Sequence, residues 1–239
     1  MVRTARPKRA STFLTARWSN LAMMSYIVPE AVLRDLTPPD CELDLLDGKA
    51  FVSLVAFDFT ETAVAGVQWP GFRNFPEINL RFYVRKSGQR GVCFVQEFVP
   101  CAFISLMARI FYNEPYRGVP MRSEITQTEQ SIDVRHSLQV RGRLMSLSLV
   151  GRKPPVMPQD DSIETFFKEH EFGYGTSRRG RLIRYRVEHP KWSVFPVSSY
   201  ALDWDWRIAY GDRWSFLQDR QPDHVLLAAG SRVRVMRQH

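Results

Sequence analysis

Cysteine is scarce in this chain and is not arranged for chemistry. Cys41, Cys93 and Cys101 are an odd set of 3 among 239 residues, with no CxxC pair and no histidine at ligand spacing. That argues against a disulfide framework and against a metal site. Long apolar runs are missing too. No stretch reaches the roughly 18 uncharged residues that a membrane-spanning helix needs. The basic start, Met1 to Ala10, lacks the apolar core of a secretory signal. Nucleophile elbow, P-loop and dinucleotide fingerprint are all absent, so no cofactor is expected. These absences point to a reduced, cytoplasmic protein with no membrane partner.

What is present is ordinary for a folded domain: 44% hydrophobic, 13% aromatic and 24% charged residues. A chain of this length buries enough surface to fold without covalent staples. Its formal net charge is 33 − 25 = +8. Arg3, Arg6, Lys8 and Arg9 lie in residues 1–11, which read as a flexible basic tail, so the folded body carries about half of the excess. A second cluster comprises Arg178, Arg179, Arg181, Arg184 and Arg186. Over Leu182 to Glu188 its charges alternate with Ile183, Tyr185 and Val187, the pattern of a solvated strand face. Contact with nucleic acid or an acidic partner is the lesser alternative, because no nucleic-acid-binding motif accompanies the cluster.

The periodicity predicts a mainly antiparallel α+β fold over residues 12–239, one domain with a few short helices. A first helix opens at Pro29 and stops at Pro38-Pro39. Residues 50 to 59 suit a buried strand. Glu77 to Lys86 and Gly91 to Val99 flank Ser87-Gly88-Gln89-Arg90, predicting a hairpin with a four-residue loop. Phe103, Leu106, Met107, Ile110 and Phe111 have helical spacing. Met121 to Val150 reads as a three-stranded meander, and Gly151 to Pro158 as a connector. A helix follows, with Asp161 and Glu164 in capping-box positions and Ile163, Phe166, Phe167 and His170 along one side. So many strands favour a closed or nearly closed β-barrel, or a double sheet, which limits exposed edges.

Three segments are candidates for a site. Period two places Glu77, Asn79, Arg81, Tyr83 and Arg85 on one face of their strand and Ile78, Leu80, Phe82 and Val84 on the other. The polar face either meets water or lines a cavity, and the alternation fits both. The second segment runs from Arg109 through Pro115, Tyr116 and Arg117. The third is His189-Pro190-Lys191-Trp192, where a proline ends a strand.

These segments carry a resemblance. Arg17-Trp18, Glu77-x-Asn79-x-Arg81-x-Tyr83-Val84, Ala108-Arg109 followed by Pro115-Tyr116, and His189-Pro190-x-Trp192 together resemble the family called domain of unknown function 2071, also known as YqjF-like. The resemblance spans about residues 12 to 237. It is similar in turn to the acetoacetate decarboxylase-like superfamily, which implies a β-barrel-type fold around a small cavity, and a homo-oligomer. In the true decarboxylases an adjacent lysine pair supports Schiff-base chemistry. Here the two lysine positions are Tyr116 and Arg117, and neither side chain forms an imine. The six lysines, Lys168 among them, are expected at exposed positions.

The expected function is therefore the binding of a small organic carboxylate or keto compound without Schiff-base chemistry. Arg81, Arg109 or Arg117 would take its oxygens, and Tyr83, Tyr116 and Trp192 would pack it. The alternative is an acid–base enzyme, lyase- or hydrolase-like, using Glu77 and His189 on a small keto acid.

Overall fold

The computed structural model describes residues 12–100, 115–177 and 179–237. The basic tail, the helix expected over Phe103 to Phe111, Cys101, Arg109 and Arg178 lie outside the described residues.

Alternation of β-branched and aromatic residues with polar ones draws most of the chain into strands. In order they are β1 (Thr12–Val28), α1 (Glu30–Arg34), β2 (Glu42–Leu43), β3 (Ala50–Val64), β4 (Phe75–Lys86) and β5 (Gln89–Val99). There follow β6 (Tyr116–Gly118), β7 (Met121–Gln127), β8 (Ser131–Val140), β9 (Arg143–Arg152), α2 (Ile163–Lys168), β10 (Phe172–Thr176) and β11 (Leu182–Glu188). The chain ends with β12 (Val194–Phe195), β13 (Val197–Asp203), α3 (Trp206–Tyr210), a 3-10 segment (Asp212–Leu217) and β14 (His224–Arg237). No helix among the described residues is long and apolar enough to cross a membrane.

Hydrogen-bonded neighbours in the larger sheet run β2-β4-β3-β1-β14-β11-β10-β5-β6. Because β5 also pairs with β4, the path from β4 through β3, β1, β14, β11, β10 and β5 returns to its start. The seam is uneven. β4 and β5 form a full antiparallel hairpin, whereas β5 and β10 meet only at Phe172↔Gly91 and Gly173↔Val92, in parallel. The expected meander is found as β7, β8 and β9, and β13 joins it to complete a second, antiparallel sheet in the order β13-β9-β8-β7.

Two details differ from the sequence expectation. The β4–β5 loop has two residues instead of four: Lys86 pairs with Gln89, and Ser87 and Gly88 take φ of 50° and 78°, the type I′ geometry whose twist matches a hairpin. The helix after the connector is capped by Ser162, whose hydroxyl accepts from Thr165 N at 3.3 Å, and α2 ends at Lys168, before His170. Ser162 lies one residue nearer the helix than Asp161, so its hydroxyl reaches the first free N–H groups.

The position of the core decides what β4 can do. Ile78, Leu80, Phe82 and Val84 are fully buried against the second sheet, with Val52 and Leu54 of β3 and Val134, Leu147 and Leu149 of β8 and β9. Each such side chain contributes roughly 1.5–3 kcal/mol on burial. The opposite faces of these strands turn into the ring, where Leu21, Val55, Phe57, Tyr83 and Trp192 form a second apolar cluster. The polar face of β4 is thus buried as well.

Candidate functional site

Within the ring lies a cavity of about 90 Å³. Its apolar walls include Trp18, Phe57, Phe59 and Trp192, and its polar lining includes Glu77, Asn79, Arg81, Glu97, Tyr116, Lys168, His170 and His189. At a water's liquid share of about 30 Å³, this is room for a few small groups, not for a drug-sized molecule.

Strand register assembles the carboxyl end. Asn79 on β4 faces Glu97 on β5, and Glu97 faces Tyr116 on β6, so three neighbouring strands deliver one row of inward side chains. Glu77 sits two residues from Asn79, on the same face. Its Oε1 accepts from Asn79 Nδ2 at 2.9 Å, and its Oε2 accepts from the Tyr116 hydroxyl at 3.3 Å. The Glu97 carboxyl lies close enough to Glu77 and Tyr116 to perturb both. Glu77 is 3% exposed and Glu97 1%. Burial pushes the Glu77 carboxyl up to about 7, against the pull of its hydrogen bonds from Asn79, Glu97 and Tyr116 and of the Arg81 charge. The Tyr116 phenol is pushed well above its usual range by burial and by the two nearby carboxyls.

The cationic end is built by β4 and by the segment leaving α2. Arg81 donates from one terminal nitrogen to the Phe167 carbonyl at 2.9 Å, while its buried Nε has no hydrogen-bond partner among the described residues. His170 is buried with both ring nitrogens equally unpartnered, its ring packed against Tyr83 and Phe166. Burial, then the charges of Arg81 and Arg90, hold His170 well below the usual histidine range, so it is a neutral imidazole with one donor and one acceptor.

Lys168 overturns the expectation that every lysine is exposed. It is 3% exposed, lines the cavity, and is ion-paired with Glu169. Phe166 and Phe167 anchor α2 inward, and the next residue is carried in with them. Glu169 serves three neighbours: Oε1 takes the Lys168 ammonium and the Trp192 amide (3.2 Å), and Oε2 lies 3.9 Å from His189 Nδ1. The His189 ring stacks on Trp192 at 4.2 Å between centroids, and the Trp192 indole donates to Ser231 Oγ at 2.7 Å.

Of the residues singled out from sequence, Glu77, Arg81, Tyr116, His189 and Trp192 meet at this cavity. Tyr83 does not border it. Its hydroxyl is hydrogen-bonded to Ser53 Oγ at 2.5 Å, one layer behind His170. Arg117, the next residue along β6 from Tyr116, is half-buried and does not line the cavity. In the basic cluster, Arg186 pairs with Glu171 and Glu188, and the Arg184 guanidinium lies over the Phe172 ring at 4.1 Å. Sequence reasoning did not single out Glu97, Lys168 or His170 as site residues. Glu97 was hidden by a register shift: Leu80 faces Gln96 but Arg81 faces Phe94, so Val95 is an extra residue in β5 and the inward parity changes there.

Comparison with known proteins agrees with this architecture. The profile of the DUF2071 family, described as an uncharacterized conserved protein, matches residues 15–232. The uncharacterized protein YqjF of Bacillus subtilis (strain 168) is 28% identical over 177 residues, which is 73% of this chain and 72% of that protein. Among solved structures, an acetoacetate decarboxylase-like enzyme from Sphingomonas wittichii RW1 superposes with a TM-score of 0.64 at 10% identity, over 95% of this chain and 91% of that one. The enduracididine biosynthesis enzyme MppR, complexed with pyruvate, gives 0.62 at 13% identity, over 97% and 90%. At such identities the likeness is one of fold. The match over nearly the whole length places this chain in the DUF2071 family.

Proposed function

We propose that this protein binds a small carbonyl-bearing organic acid in the cavity, with the β4-β3-β1-β14-β11-β10-β5 ring acting as a closed barrel around it. The observation that carries this reading is the convergence of buried polar groups at one small space. Arg81 and His170, whose Nε and ring nitrogens have no partner among the described residues, line the same cavity as Glu77, Tyr116 and Lys168. A ligand acceptor that meets a charged donor such as Arg81 in place of water gains about 1.5–3 kcal/mol net. A carboxylate suits Arg81 and a neutral His170 N–H. A carbonyl oxygen suits the protonated Glu77–Glu97 end. The pyruvate carried by the structurally similar MppR is a molecule of this class and size.

Lys168 fits the reading as the ion-pair partner of Glu169 at the cavity wall.

Thermal unfolding and saturation-transfer NMR with millimolar pyruvate and its homologues test the proposal. Binding raises the melting temperature as RT ln(1 + [L]/Kd). Arg81→Met is expected to weaken it by about tenfold or more, the loss of a charge-assisted hydrogen bond. No stabilisation and no saturation transfer with any small keto or carboxylic acid would end the proposal.

A further inference from the structure

Two carboxyl groups buried side by side share a proton, because both cannot ionise there together. Glu77 and Glu97 are such a pair: Asn79, on the same face of β4 as Glu77, faces Glu97 on β5, and both buried carboxyls line the cavity. Asn79 and Tyr116 fix the two Glu77 oxygens from opposite sides, and the backbone pairing of β4, β5 and β6 fixes the row that holds them. The cavity thus presents an acid and a base side by side, on rigid strands, behind apolar walls. The amine in the same space is engaged by Glu169.

We infer that the Glu77–Glu97 pair, with the Tyr116 hydroxyl, interconverts the keto and enol forms of a small 2-oxo acid by direct proton transfer. The inference rests on the binding proposed above and adds a reaction to it. In the forward step the ionised carboxyl removes a proton from the carbon next to the carbonyl. The C–H electron pair becomes the C=C bond, and the carbonyl π pair goes to oxygen. The protonated carboxyl gives its proton to that oxygen. One proton enters the pair and one leaves it, so the pair ends in the mirror-image protonation state and no other reactant is consumed. The Tyr116 phenol, kept protonated by its surroundings, turns its single O–H from Glu77 Oε2 to the developing enol oxygen in this step. A Glu77 carboxyl near 7 suits a group that both takes and gives a proton at neutral pH.

The test is hydrogen–deuterium exchange of the pyruvate methyl group in D2O, followed by 1H NMR with the full-length protein. Exchange well above the buffer rate is expected, reduced about a hundredfold in Glu77→Gln and in Glu97→Gln. Tyr116→Phe should reduce it less. The wild-type rate should rise and fall with pH as the pair passes through its singly protonated state; this measurement needs no variant, and a flat profile would overturn the inference. Saturation transfer to pyruvate without accelerated exchange removes the reaction and leaves the binding. Absence of saturation transfer removes the binding itself. A pyruvate adduct fixed on Lys168 by cyanoborohydride would show an imine route and overturn the direct one.

Discussion

Glu77 is held between opposing forces: burial penalises its charge, and Asn79 and Tyr116 stabilise it. The result is a carboxyl raised from 4.5 to about 7. Its folded state therefore holds a proton more tightly than its unfolded state. The stability this brings is complete below about pH 4.5 and is lost as pH rises through about 7, with a slope of at most ~1.4 kcal/mol per pH unit. Glu77→Gln should flatten that part of the melting-temperature profile, and parallel profiles for the two proteins would contradict it. At this scale the sequence was partly legible. Period two grouped Glu77, Asn79 and Arg81 correctly, but alternation looks the same whether the polar face meets solvent or a cavity. Only the burial of Ile78, Leu80, Phe82 and Val84 beneath the second sheet decides between them.

Elements show where sequence reading stops. Strand β5 gave no warning of its extra residue at Val95, because Gly91 to Val99 is apolar enough to read as a continuous buried strand. One residue of slip reverses every later side chain, so strict alternation from Val92 and Phe94 would turn Gln96 inward, whereas Glu97 is the residue that lines the cavity. The segment after α2 was similarly opaque, since a lysine following two phenylalanines is ordinarily a solvated helix residue. Strand β10 offers a direct test of how the elements shape the cavity. Gly173 pairs with Tyr185 on β11, and a Cβ there would lie 2.0 Å from the tyrosine ring. Both residues line the cavity. Gly173→Ala should displace that ring, lower stability by about 1–3 kcal/mol and abolish stabilisation by pyruvate in thermal unfolding. Unchanged stabilisation would mean that this wall does not shape the binding space.

For the molecule as a whole, the mainly antiparallel plan and the meander were legible because their periodicities are long and regular, whereas the docking of one sheet on another leaves no local pattern. A polar clasp joins the two sheets. Asp58 of β3 accepts from Ser123 of β7 at 3.0 Å and lies 3.4 Å from His136 Nε2 of β8. Burial pushes the Asp58 carboxyl up, but hydrogen bonds and charge from His136, with Ser123 and Asn20, bring it below its usual value. Its contribution is present above the ordinary carboxyl range and is lost on acidification. Asp58→Asn should cost about 1–3 kcal/mol in chemical denaturation near neutrality, and the loss should shrink in acid. An effect independent of pH would assign the clasp to shape alone.

His189 stands in the wall with two aspects. It borders the inner cavity and also an outer groove formed with Glu61, Glu188, Arg232 and Arg234. A molecule passing between those spaces at this point would meet the imidazole stacked on the Trp192 indole and displace it. Entry and escape by that route would then be slowed together, so that residence time is governed by how often two stacked rings separate and is decoupled from equilibrium affinity.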